Sequence, residues 1–456
     1  MNFSDRHTRR ECGVLENVCR HLLVCGISGY RRIIFIFVVC DSGFMDEFDE
    51  MVAQAIEKGV SLSRLKAYFS LASESDTARL RAAVLERKMG VDLSSVKSLK
   101  LDFDVLVGRN IENPVGGVVL PVGVVGPLLV DGSFRKAEVF LPLATTEGAL
   151  VASANRGAKA TYLSGGVKAR VIGDRMTRAP VFRTESIDES VRLREWVETN
   201  FDELRRIASS TTKHGRLEGA KCFIVGTNVF VRFSYSTGDA MGMNMVTIAT
   251  DRVAEYIEKE TGAKLVALSG NVCSDKKPAY INTLMGRGKS VVAECTLPRE
   301  VLSGVLRTTA EEINEINVRK NMLGSSVGGS LAQNAHFANI VAASFIAMGQ
   351  DAAQVVESSQ GFCFTEVRSG GDLYFSVTLP SLEVGAVGGG TKLETQRELL
   401  SLTGVFSVEE GMRSKWLAEV IAAGVLSGEL SLLAAMASDE LAGSHSRLGR
   451  GGEAKG

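Results

Sequence analysis

The sequence predicts an α+β protein: a large, mainly helical domain built round a central long helix, and a small ferredoxin-like βαββαβ module. Three observations carry this. Residues 168–268 read as strand and helix patterns in the order β-α-β-β-α-β, and no GxGxxG opens a helix there, which separates the module from a doubly wound dinucleotide fold. The apolar stretch Trp416 to Ala437 is as long as a membrane span, yet it carries Glu419 and Glu429. Uncompensated carboxylates in lipid are costly, so it reads as a buried core helix. The segment Gly324 to Met348 is rich in Gly, Ala and Ser and poor in charge. It reads as a tightly packed central helix, whose polar members Asn334, His336 and Asn339 then need buried partners.

Taken in order, residues 1–44 mix arginines and four cysteines with one apolar run, Ile33 to Cys40. That run is shorter than the roughly 20 residues a bilayer needs, and no convincing cleavage site follows it. The segment reads as a loosely packed extension, or as the product of an upstream start, with Met45 or Met51 as the true beginning. Residues 46–110 read as helical; Leu80, Val84 and Leu85 keep helical spacing within Asp76 to Arg87, and Gly90 follows as a stop. Val115 to Leu143 reads as strands punctuated by Gly123, Gly126 and Asp131-Gly132.

Within the small module, Lys168 to Ile172 reads as a strand, and Ser186 with Glu189 as a capping box that opens a helix through Val191, Trp196 and Val197. Cys222 to Val225 and Val229 to Phe233 read as strands around Gly226-Thr227-Asn228, followed by a helix near 245–260 and a strand at Leu265 to Leu268. The remainder reads as mainly helical, with strand character at Asp372 to Leu379.

Composition narrows the function. Of 456 residues, 45% are hydrophobic and 23% charged, ordinary values for a globular chain. Lysine plus arginine, 52, nearly equals aspartate plus glutamate, 53, which argues against a nucleic-acid surface. The eight cysteines form no CxxC pair. They are read as free thiols in a reducing compartment, with no metal site.

Four motifs set an ionisable group among small or apolar neighbours: Ala144-Thr145-Thr146-Glu147-Gly148, the run Ser269 to Pro278, Gly349-Gln350-Asp351, and Ser444-His445. Singly, each has a plain structural explanation. Glu147 suits a helix N-terminus, Asp275 with Lys276 a surface ion pair, Asp351 a turn, and His445 a helix end. Cys273, in the second motif, reads as a small packing residue, although an acyl transferase would use such a thiol as nucleophile.

Together with Asp239-Ala240-Met241-Gly242-Met243-Asn244-Met245 and Gly388-Gly389-Gly390-Thr391, these motifs resemble, in order, those of the 3-hydroxy-3-methylglutaryl-coenzyme A (HMG-CoA) reductase family, in its biosynthetic class I form without a membrane anchor. The resemblance spans roughly residues 50–450. It implies reduction of HMG-CoA to mevalonate and free coenzyme A with two NADPH, in the mevalonate pathway of isoprenoid biosynthesis. It implies a cytoplasmic homodimer or higher homo-oligomer with active sites at subunit boundaries, and neither a nucleic-acid nor a membrane partner. The domains then run as an extension (1–44), an N-terminal helical region (45–112), a large HMG-CoA-binding domain (113–179 and 268–435), an inserted NADP-binding module (180–267) and a C-terminal flap (436–456). Glu112-Asn113-Pro114-Val115-Gly116 is similar to the family's dimer-interface motif, with Pro114 and Gly117 departing from the commoner residues.

The resemblance assigns roles. Lys276 would neutralise the oxyanion formed when hydride reaches the thioester carbon, although the residues alone do not separate it from Lys277. His445, on the flap, would protonate the departing thiolate. Glu147, raised in pKa by burial and by Asp351, would protonate the aldehyde oxygen as the second hydride arrives, with Asn339 orienting the network. Asp239, Met241, Gly242, Met243, Asn244, Gly388, Gly389, Gly390 and Thr391 would hold the dinucleotide, and Lys213, in Thr212-Lys213-His214, its 2′-phosphate. Arg178, Ser269, Asp275, Lys277 and Lys320 would hold the hydroxymethylglutaryl group, and Arg156 and Lys159 the coenzyme A phosphates. Two other readings stand beside this one: an NADH-linked enzyme degrading mevalonate, and a non-catalytic acyl-coenzyme A binding protein.

Overall fold

The computed structural model describes residues 42–89, 94–97 and 101–438, so His445 and the expected flap beyond residue 438 lie outside the described residues. Two compact units divide the chain after Val119. In the first, α1 (Ser42–Glu57) and α2 (Glu74–Met89) close on a small core of Val52, Ala55, Leu65, Leu80 and Val84. Leu80 and Val84 lie one helical turn apart, so one face of α2 is apolar.

In the second unit, β1 (Val122–Asp131) and β2 (Lys136–Ala144) form an antiparallel hairpin. Then follow α3 (Leu150–Leu163) and the long strand β3 (Val167–Arg178). Strand β3 joins two regions of sheet. Lys168 to Arg175 pair with β8 (Gly288–Leu297), which pairs with β10 (Leu373–Leu382) and through it β9 (Phe362–Val367). Met176 to Arg178 pair instead with β6 (Asn228–Ser236). The chain between is β4 (Val181–Arg183), α4 (Ile187–Thr199), α5 (Phe201–Ser209), β5 (Arg216–Val225), β6, α6 (Met243–Thr261) and β7 (Lys264–Ala267), with strand order β7-β4-β6-β5. This region has its own core, including Phe182, Val197, Val231, Phe233, Val246 and Val253.

The main core forms round α7 (Phe337–Ala347) and α8 (Arg413–Ala437). Among the described residues α8 is the one helix long and apolar enough to cross a membrane, and it is buried in the protein. Its two carboxylates are met by donors: Glu419 accepts from Ser133, and Glu429 from the backbone N–H groups of Ala335 (2.6 Å) and His336 (3.1 Å). Burial still lifts both carboxyls above the usual range.

Three expectations are corrected. Gly324 to Met348 is not one helix: a π-helical stretch Asn317–Gly324 and a short turn end at Gly329 (φ 67°), and α7 begins at Phe337. A glycine in the left-handed region stops a helix. The central helix is α8. Lys168 to Ile172, expected as the first strand of the β-α-β-β-α-β run, lies instead in β3 and pairs with β8; the strand between β6 and β7 is β4, Val181–Arg183. The capping box at Ser186 is half formed: Ser186 accepts from Glu189 N (3.2 Å), but the Glu189 carboxylate turns to the Glu185 N–H (2.9 Å).

Candidate active site

Three sequence-distant loops meet around Asp351. The Gln350 amide donates to Gly385 O (3.0 Å) and its Oε1 accepts from Gly385 N (2.8 Å). Gly385 in turn packs flat against the Ala240-Met241 backbone, where a Cβ would meet Met241 N at 2.5 Å. Ala240 bridges to Val387, and Asp239 O accepts from Ala386 N (2.8 Å). The turn at 212–215 joins this row, because Thr212 and Gly215 pack on Met245. The sequence-predicted cofactor residues Lys213, Asp239, Met241, Gly242, Met243, Asn244 and Gly388 to Thr391 thus sit on one run of contacts that ends at Asp351. The Asp239 carboxylate turns away, accepting from Gly411 N (2.6 Å) and Ser414 N (3.1 Å) at the start of α8.

The loop geometry fits a dinucleotide phosphate. Gly388 (φ 87°) and Gly389 (φ 52°) are left-handed, and a Cβ at either would meet open space. Gly242 (φ 96°) opens the 19-residue α6 with no side chain capping its first N–H groups. Free backbone donors at a helix N-terminus and in a glycine turn attract anionic oxygens. Lys213 is exposed beside them.

Asp351 is paired. Its Oδ2 lies 2.8 Å from Lys276 Nζ. That hydrogen bond, reinforced by nearby carboxylates, holds the Lys276 ammonium above its ordinary pKa against the effect of burial. The ammonium is therefore charged at neutral pH, and 45% of the side chain is exposed, so it is open to a substrate. Lys277 points elsewhere, donating to Asp275 O (3.1 Å), which separates the two lysines. Arg178 donates to Thr247 on α6 (2.7 Å), and Ser269 Oγ lies 3.4 Å from Cys273 Sγ. Cys273 is buried; burial raises its thiol pKa, but the hydroxyl of Ser269, the Asp275 N–H and two arginines bring it below the ordinary value.

Glu147 belongs to a second group. Ala149 (φ 73°) turns the chain into α3 and leaves Glu147 exposed. Asn339 Nδ2 donates to Glu147 Oε1 (3.2 Å) and lies 3.5 Å from His336 Nδ1. Glu429 supports the His336 backbone and also accepts from Asn321 (3.2 Å), the neighbour of the exposed Lys320. Among the described residues no hydrogen bond or ion pair joins this group to Lys276 or Asp351. Arg156 donates to the Ser431 hydroxyl (3.0 Å) and carbonyl (2.7 Å) on α8, while Lys159 is exposed.

The sequence did not point to the charges behind Lys276. Arg287, fully buried, meets Asp275 Oδ1 (3.1 Å), Glu357 Oε1 (2.8 Å) and Glu383 Oε1. A lone arginine in Met285-Gly286-Arg287-Gly288 carries no pattern that announces burial.

A charged lysine–aspartate pair beside two glycine-rich loops with open backbone donors, on an α+β fold, suits an enzyme that works with an anionic cofactor. Comparison with known proteins makes the family explicit. The profile described as hydroxymethylglutaryl-coenzyme A reductase matches residues 77–450, and the chain belongs to that family. It is 56% identical over 408 residues to the 3-hydroxy-3-methylglutaryl-coenzyme A reductase of Aeropyrum pernix, covering 89% of this chain and 96% of that one. It is 51% identical over 377 residues to the protein of that name from Methanothermobacter thermautotrophicus, covering 82% and 94%. Among solved structures, the class II enzyme from Streptococcus pneumoniae bound to NADPH superposes with a TM-score of 0.59 at 21% identity, over 82% of this chain and 96% of that one, a likeness of fold.

Proposed function

We propose that the chain reduces HMG-CoA to mevalonate and free coenzyme A with two NADPH. The observation that carries this reading is the Lys276–Asp351 pair, 2.8 Å apart, at the end of the glycine-rich loops. When bound, NADPH supplies hydride, and Gly388, Gly389, Gly390, Thr391, the opening of α6 and Lys213 would hold it.

In this reading Lys276 meets the negative oxygen of the tetrahedral hemithioacetal. One fixed donor of this kind is worth about 3–4 kcal/mol in a transition state. Asp351 keeps that ammonium in place. The hemithioacetal then breaks its C–S bond, and His445 is the proposed proton donor to the leaving thiolate. The aldehyde takes the second hydride, and its oxygen takes a proton from Glu147, held by Asn339. Arg178, Ser269, Asp275, Lys277 and Lys320 would bind the hydroxymethylglutaryl group; Lys159 would face coenzyme A, whereas Arg156 would reach it only by leaving Ser431.

The site is proposed to be completed between copies of the chain. Glu147 with Asn339, and Lys276 with Asp351, form two solvent-facing groups with no bond between them in one chain, which supports a homodimer or higher homo-oligomer. The strand order β7-β4-β6-β5 with α4, α5 and α6 supports a ferredoxin-like NADP module over 180–267, inserted in the large domain (113–179 and 268–435) and followed by the flap at 436–456. The four described cysteines are free, in keeping with a cytoplasmic setting. The test follows NADPH absorbance with HMG-CoA as substrate. Turnover with NADPH sustains the reading; a strong preference for NADH would favour mevalonate degradation, and no turnover would overturn the reading.

A further inference from the structure

Lys276 sits in a loop of unusual backbone. Asn271 (φ 63°), Ser274 (φ 53°) and Lys276 (φ 56°) are all left-handed, and none is glycine. Such conformations persist only where surrounding structure over-determines them, and they gather at functional sites. At Lys276 the determinant is visible: its backbone N–H donates to Glu357 Oε1 at 2.8 Å. Glu357 is fully buried on the short helix Val355–Ser358.

The same Glu357 oxygen accepts from Arg287 Nη1 at 2.8 Å. The Arg287 guanidinium also meets Asp275, Glu383 and the Met243 sulfur (2.8 Å) at the opening of α6. Carboxylate oxygens of Asp275, Glu357 and Glu383 lie within 4.8 Å of one another, with the guanidinium as their cation. The cluster is poorly built for stability alone. Arg287 Nε is buried without a hydrogen-bond partner, and Glu383 is held close to a second buried carboxylate, Glu357. Orphaned buried polar atoms cost free energy, and well-packed apolar groups often do as well as buried ion pairs. What an apolar replacement could not do is accept the Lys276 N–H.

We propose that Glu357, clamped by Arg287, is a positioning residue for the reduction: it holds the Lys276 backbone in the left-handed turn that aims Nζ at Asp351 and at the reacting oxygen. The proposal rests on the reductase reading, in which Lys276 is the catalytic cation. Glu357 itself does not touch substrate or dinucleotide.

The experiment compares full-length wild type with Glu357→Ala and Glu357→Gln, measuring kcat, KM for HMG-CoA, KM for NADPH and Tm. A shift of order 1 Å at a catalytic group costs roughly 10²-fold in rate. Glu357→Ala is therefore expected to lose about 10²-fold in kcat with little change in KM for NADPH, because the dinucleotide loops are held by Gln350 rather than by Glu357. Glu357→Gln is expected to fall between, because its amide oxygen still accepts the Lys276 N–H while its NH2 faces a guanidinium. If Glu357→Ala does not fold, Glu357→Gln alone decides. Unchanged kcat in the folded variants would overturn the proposal. So would a loss shared equally by kcat and both KM values, which marks a general structural role. An inactive wild type would instead sink the reductase reading, so the two failures are told apart.

Discussion

Gly349 is where a single methyl group should disturb binding and chemistry together. It lies at φ 68°, and a Cβ there would stand 2.8 Å from Thr391 N and closer still to the Gly390 carbonyl. Ordinary contact begins at 3.4 Å, so Gly349→Ala must part the two loops by at least the difference, 0.6 Å. A left-handed alanine adds about 1–2 kcal/mol of backbone strain. One of these loops carries Asp351, two residues on, and the other carries the glycine turn read as the phosphate cradle. Displacement on this scale at a catalytic group costs roughly 10- to 100-fold in rate. Gly349→Ala is expected to lose that much in kcat, to raise KM for NADPH, and to lower Tm by only a few degrees. Steady-state kinetics following NADPH absorbance, with a thermal melt alongside, give all three. Wild-type kcat and KM in a folded variant would refute the argument that these loops are stapled into one site.

Lys276→Ala removes the proposed oxyanion cation and should lower kcat about 10²- to 10³-fold, with Tm near wild type because the Lys276 side chain is half exposed; a loss under about tenfold would contradict the assignment. Glu383→Gln tests the buried cluster through pH. Burial above all, and then the charge of Glu357, outweigh Arg287 and hold the Glu383 carboxyl far above its ordinary 4.5. A raised folded pKa means that its stabilising contribution is complete below about 4.5 and is lost as pH rises through the folded value. Melts over a pH series should show the variant gaining on wild type as pH increases from about 4.5, and a wild-type advantage that grows with pH would be the wrong sign. Gly157→Ala should be destabilising by about 1–3 kcal/mol by chemical denaturation, since its Cβ would press on the Ser427 backbone where α3 crosses α8 (3.1 Å from Ser427 Cα, closer to its carbonyl). An unchanged midpoint would show that the two helices can part freely.

Much of this was legible in the sequence because it has a period or a fixed local spacing. The strand at Val229 to Phe233, the turn at Gly226-Thr227-Asn228 and the helix near 245–260 are local signals, and all appear. Trp416 to Ala437 declared itself as a core helix by length and by its two isolated carboxylates, although their partners, Ser133 and the Ala335-His336 backbone, lie far off in sequence. Gly324 to Met348 misled because small residues suit either a packed helix or a sharp turn, and the left-handed Gly329 decides for the turn. Of the site, Glu147, Lys276 and Asp351 stood out by motif. Glu357 and Arg287 did not, because Val355-Val356-Glu357-Ser358 reads as ordinary helix surface and only tertiary contact makes its carboxylate the acceptor for Lys276. The division of the site into two groups was equally invisible, since motif order says nothing about which residues face one another.

The account stands on Lys276 stabilising charge during a thioester reduction that consumes two hydrides. The most direct measurement is stoichiometric: NADPH oxidised against coenzyme A thiol released, for wild type and Lys276→Ala. Two NADPH per thiol in the wild type, with both signals falling together in the variant, is the predicted result. Thiol release without NADPH oxidation, or a variant as fast as wild type, would contradict it.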